Sequence, residues 1–146
     1  GCNLTFAGLK TAVLREAQKI KKDKRLILNL AASFQKTVID ILKKKTLVAM
    51  EQYKELTNKD NADLIVAGGV AANEKIKEAL SELCKNKKFN PIFPRKEFCG
   101  DNAAMIAWAG IQNFKLKKNS QLNVTAKSRW PLDSQAPFMK GPGLKI

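Results

Sequence analysis

Ala62-Asp63-Leu64-Ile65-Val66-Ala67-Gly68-Gly69-Val70-Ala71-Ala72-Asn73 is the stretch whose reading decides the fold. Leu64 to Ala67 is a charge-free apolar run, too short for a globular helix. It predicts a strand buried on both faces. Gly68 and Gly69 break the run, and beyond them Ile76, Ala79, Leu80 and Leu83 recur at helical spacing. The unit therefore reads as strand, Gly-Gly turn, helix. In α/β proteins the carboxyl ends of parallel strands are where ligands bind. Glycines there let backbone N–H groups approach a ligand closely, and a helix N-terminus favours anions. The same residues equally make a tight turn with Asn73 as helix N-cap. The spacing is not that of a G-x-G-x-x-G fingerprint and does not choose between the two.

Working outward, Phe34, Val38, Ile41 and Val48 form one stripe of a long helical pattern from about 27 to 56, with Ile39, Leu42, Met50 and Tyr53 beside it. So wide an apolar sector predicts a helix that covers a sheet. Lys43, Lys44 and Lys45 read as its solvated face. Before it, Leu4 to Phe6 reads as a short strand end and Gly8 as a turn entering a helix, with residues 19–25 a charged loop. After the central unit, Phe89-Asn90-Pro91-Ile92-Phe93-Pro94 fits an edge strand, because proline cannot donate to a ladder. Ala103 to Ala109 carries no charge and predicts a helix buried nearly all round. Asp101 opens that helix, where a carboxylate suits the dipole whether or not it does anything else. The expected organisation is an α/β domain over 1–116, with the strand at 64–67 central and helices near 27–56, 73–85 and 101–116 around it. An irregular segment over 117–146 follows, with Trp130 and Phe138 as anchors.

Composition narrows the chemistry. The chain has 146 residues, three cysteines (Cys2, Cys84, Cys99), no CxxC pair and no histidine. A self-contained zinc site, a disulfide framework and any Ser-His or Cys-His nucleophile within the chain are thereby disfavoured or excluded. No apolar run reaches the length of a membrane span and Gly1-Cys2-Asn3-Leu4 is no signal peptide, so a cytoplasmic protein without membrane contact is expected. The formal net charge of +14 is spread along the chain and suits an anionic partner, with nucleic acid first. A lysine-rich surface with no partner at all would look the same.

Five motifs in order carry a resemblance to one family: Phe6-Ala7-Gly8-Leu9-Lys10-Thr11-Ala12-Val13, Ala31-Ala32-Ser33-Phe34-Gln35, Val66 to Asn73, Asp101-Asn102-Ala103-Ala104-Met105-Ile106-Ala107, and Arg129-Trp130-Pro131-Leu132-Asp133. Together they resemble the C-terminal half of the bacterial TsaD (Gcp) family of tRNA threonylcarbamoyladenosine transferases, formerly labelled O-sialoglycoprotein endopeptidases. The resemblance implies the C-terminal RNase H-like half of an actin-like ATPase (ASKHA) fold, truncated at its N-terminus. It implies transfer of a threonylcarbamoyl group from its adenylate to the amino group of an adenosine beside the tRNA anticodon. On the matching motifs, Asn73 would hold the nucleotide-like substrate, Gly68 and Gly69 would border the same pocket, and Asp101 would ligate a divalent metal, iron or zinc. The family's other metal ligands are two histidines of an HxxxH motif in its N-terminal half. One carboxylate cannot hold a transition metal against water, so the chain alone is expected to be inactive.

The resemblance also implies tRNA, TsaB-like and TsaE-like proteins as partners. The chain itself is expected to self-associate or to pair with its missing N-terminal half. Ala7, Gly100 and Ser128 stand where the family usually has serine, threonine and proline. Lys10, near a glycine turn, could attract phosphate or simply be solvated. The alternative from another class is a non-catalytic basic nucleic-acid-binding domain. It would need stacking aromatics on a basic face, yet Phe34, Trp108 and Phe114 fall within apolar helical patterns. The old peptidase label finds no serine, cysteine or zinc-water machinery in these residues.

Overall fold

The computed structural model describes residues 2–20, 23–118, 123 and 125. The motif at Arg129 to Asp133 and the proposed anchors Trp130 and Phe138 lie outside the described residues. The chain separates into two compact units, Gly1–Ala103 and Ala104–Ile146. The first holds helix α1 (Ala7–Lys19), helix α2 (Lys24–Thr57), strand β1 (Ala62–Ile65), a short 3-10 turn (Gly69–Ala72), helix α3 (Glu74–Lys87) and strand β2 (Phe89–Ile92). A second 3-10 turn (Lys96–Phe98) follows, and helix α4 runs from Ala103 to Lys115.

β1 and β2 pair in parallel, with Ala62 opposite Phe89 and Ile65 opposite Ile92. The α3 crossover between them makes the unit a βαβ motif, as parallel pairing requires. Pro91 lies in β2 at the place where a proline costs least, an edge. The protein is thus a mixed helix and strand fold with a small parallel sheet. β1 begins two residues earlier than the apolar run suggests, and the ladder ends where Val66 N–H donates to the Ile92 carbonyl at 3.0 Å. Gly68, at φ +92°, then turns the chain in a backbone region that L side chains rarely adopt.

α3 earns its place by periodicity. Ile76, Leu80, Leu83 and Cys84 are buried, spaced as one face of a helix. They meet Met50 of α2 and Phe89 of β2 in one core, with Val38, Ile39, Leu42 and Tyr53 packed against it. Tyr53 and Phe89 make an edge-to-face pair with ring centroids 6.0 Å apart. Burial pushes the Cys84 thiol up from its ordinary range, because an apolar site disfavours the thiolate. α2 is closed at both ends by local chemistry. The Asp23 carboxylate accepts from the N–H groups of Arg25 and Leu26, and Asn58 takes the left-handed conformation at the C-cap.

Five expectations need correction. β1 is covered on one face only: Ala62, Leu64 and Val66 point to the core, while Ile65 is 69% exposed. A charge-free run fixes a strand but does not supply its second layer. Nor is β1 a central strand, since the described sheet has two strands. Residues 2–6 form no strand, and Gly8 lies inside α1 instead of before it. α4 is exposed, not buried, with Ile106, Trp108 and Phe114 well over half accessible.

The N-terminal half of α2 shows the same imbalance, with Leu26, Ile27 and Leu28 exposed where its C-terminal half is packed. Apolar surface on this scale marks faces that associate. The isolated chain is therefore expected to self-associate, with sedimentation velocity at tens of micromolar giving a mass above that of one chain. A monodisperse monomer with a cooperative melt would show that these faces stand bare in solution.

Candidate functional site

The helix α1, the first half of α2 and the turn into α3 enclose a pocket of about 890 Å³. Three of the described motifs meet there. Phe6, Lys10 and Val13 come from the first, Ala31, Phe34 and Gln35 from the second, and Gly69, Val70 and Asn73 from the third. Val38, Leu42 and Ile76 complete the lining. The volume falls within the usual range for small-molecule sites, and the lining is mostly apolar with a few polar groups, as such sites are.

Asn73 does several things at once. Its Oδ1 accepts from the N–H groups of Lys75 at 3.0 Å and Ile76 at 3.3 Å, which makes it the N-cap of α3. Its Nδ2 donates to Oε1 of Gln35 at 3.2 Å, tying the turn to α2. The cap is thus present, and Nδ2 carries a second hydrogen beyond its bond to Gln35. Sequence reasoning placed Gln35 in a motif but gave it no role; its pairing with Asn73 across 38 positions depends on the tertiary fold. Asn73→Ala is expected to lower stability by about 1 kcal/mol through the lost cap. That corresponds to a melting-temperature drop of roughly 4 °C for a folded unit of this size. Asn73→Ser, which can still cap, should recover most of it in a circular dichroism melt.

The turn before Asn73 is built from backbone. The Gly68 carbonyl accepts from Ala71 N–H at 2.9 Å, and the Val70 carbonyl accepts from Asn73 N–H at 3.1 Å. Gly69 lines the pocket, while Gly68 lies one residue behind it and is not among the lining residues. No atom comes within 4 Å of a Cβ built on either glycine. Only Gly68 therefore needs to be glycine for the fold, through its positive φ.

Asp101 stands apart. It is exposed, it precedes α4 by two residues and it is not a lining residue of this pocket. The helix it was expected to open begins at Ala103. Among the described residues no three His, Cys, Asp or Glu side chains lie together as metal ligands. With no histidine in the chain, these residues do not fit a transition-metal site of their own.

A parallel βαβ unit with a Gly-Gly turn leading into a capped helix, and a pocket formed on that turn, define an α/β protein with a ligand-sized site at the end of a strand. The chain belongs to the tRNA N6-adenosine threonylcarbamoyltransferase family, TsaD, whose sequence model matches residues 1–108. It is 52% identical over 146 residues to the tRNA N6-adenosine threonylcarbamoyltransferase of Pelagibacter ubique (strain HTCC1062), covering 100% of this chain and 41% of that one. It is 42% identical to the enzyme of that name from Cereibacter sphaeroides, over 99% of this chain and 41% of the relative. The Rickettsia bellii protein of that name is 41% identical over 90% of this chain and 39% of its own length. The chain thus spans about two fifths of the length of the curated relatives it matches.

Proposed function

We propose that this chain supplies the nucleotide-binding part of a tRNA N6-adenosine threonylcarbamoyltransferase. The observation that carries the reading is that three motifs distant in sequence line one pocket, within the residues that match the family. On this reading the fold is the C-terminal RNase H-like half of an actin-like ATPase. The pocket receives the adenosine moiety of threonylcarbamoyl-adenylate. The apolar wall of Phe6, Phe34, Val13 and Val38 packs on the base, and the second amide hydrogen of Asn73 orients it. Gly69, which lines the pocket, puts no side chain in the way of the approaching ligand.

Asp101 offers one oxygen donor to an iron or zinc ion whose remaining ligands come from outside residues 1–146. The acceptor adenosine belongs to tRNA, and the net charge of +14 favours approach of that polyanion. TsaB-like and TsaE-like proteins are the proposed protein partners, and the cytoplasm the proposed compartment. No helix among the described residues is long and apolar enough to cross a membrane.

Adenosine titrated into the isotope-labelled chain tests the reading. The largest amide shifts are expected at Gly69, Val70, Asn73 and Gln35. A basic nucleic-acid-binding domain without a nucleoside site would leave those amides unmoved and respond only to polyanions, with a steep dependence on salt.

A further inference from the structure

Of the polar groups lining the pocket, Asn73 and Gln35 bond each other. The third is Lys10, on the first turn of α1. Among the described residues its ammonium makes no hydrogen bond and no ion pair. Lys19, Lys36, Lys43, Lys54 and Lys75 each lie within salt-bridge distance of a carboxylate. Lys10 is therefore an unpaired cation lining a largely apolar cavity that Gly69 and Val70 also line.

We propose that Lys10 is a ligand-contacting residue that binds the phosphate of the adenylate and gives the pocket its preference for a nucleotide over a bare nucleoside. The inference rests on the nucleotide reading above and adds a residue and a selectivity to it. The apolar lining takes the base and the polar edge takes charge. A lysine ammonium is a compact point charge suited to phosphate, and among the described residues no carboxylate pairs with it. Charge complementarity thus fixes which end of the ligand faces α1. The phosphate lies toward Lys10, and the base lies deeper against Phe34 and Val38.

The test titrates AMP and adenosine separately into the 146-residue chain and into Lys10→Met, Lys10→Arg and Asn73→Ser, following the amide of Gly69. A thermal melt of each variant confirms that it is folded. The unaltered chain is expected to bind AMP more tightly than adenosine. Lys10→Met should weaken AMP by about tenfold and leave adenosine unchanged, which is the effect of losing one charge-assisted hydrogen bond. Lys10→Arg should retain AMP binding. Asn73→Ser should weaken both ligands alike. AMP bound equally well by Lys10→Met would overturn the role of Lys10 while leaving the nucleoside reading intact, and so would a loss shared equally by adenosine. No shift with either ligand in the unaltered chain would overturn both.

Discussion

Leu80→Ala is expected to remove the cooperative thermal transition of the chain. Leu80 is 4% exposed and lies at the middle of the α3 face that joins Met50, Leu83, Cys84 and Phe89 in the core. Truncating a buried leucine costs about 2–5 kcal/mol, because the transfer energy is lost and a cavity remains. A domain of ordinary stability holds about 5–15 kcal/mol in total. Here the core is small and one face of the sheet is bare, so the loss takes most of what there is. Leu80→Met, close in volume, should cost under about 1.5 kcal/mol. Leu56→Ala, at a position 84% exposed, should change stability by no more than about 0.5 kcal/mol. Circular dichroism melts of the three variants check the ranking. A cooperative melt for Leu80→Ala within a few degrees of the parent would mean that the folding core lies elsewhere.

The second large effect concerns Asp101 and requires the rest of the enzyme. In a chimaera, residues 1–146 replace the matching segment of the Pelagibacter relative, which is identical at 52% of positions. There Asp101→Ala is expected to lower bound iron or zinc to background and to cut tRNA modification by more than about 100-fold. Losing a group that merely orients a metal ligand costs 10–100-fold, and a direct ligand costs more. Elemental analysis and nucleoside mass spectrometry measure the two quantities. A variant that is fully metallated and active would remove Asp101 from the site. A variant that keeps its metal but loses activity would give it another role.

The sequence was most legible where one element decides its own environment. The i, i+4, i+7 spacing of Ile76, Leu80 and Leu83 requires one buried face, and α3 buries it. The two glycines after an apolar run fixed the turn, and Asn73 caps as an Asn in that position should. The proline at 91 placed β2 at an edge. Legibility ended where burial depends on what lies on the other side. Ile65 and the string from Ala103 to Ala109 are apolar, and pattern alone reads that as buried. Their exposure depends on whether a second layer is present, which neither residue encodes.

Site residues divide in the same way. Gly69 and Asn73 were legible from one turn. The contribution of Phe6, Lys10 and Gln35 to the same pocket needs α1 and α2 to fold back across the turn, and no local spacing reports that. For Phe6 and Gln35 the only early signal was a motif that shares a family resemblance; Lys10 also reads as near enough to a glycine turn to attract phosphate. Asp101 was read as a helix opener and a metal ligand together; α4 begins two residues later, at Ala103, which corrects the first of these readings alone.

The central claim is that these residues form a working part of a tRNA-modifying transferase. The most direct test is the unaltered chimaera, purified, supplied with threonylcarbamoyl-adenylate and unmodified tRNA, and followed by mass spectrometry of the digested nucleosides. Threonylcarbamoyladenosine should form in the chimaera and should not form with the 146-residue chain alone. A folded, metallated chimaera that yields none, under conditions where the Pelagibacter enzyme yields it readily, would contradict the claim.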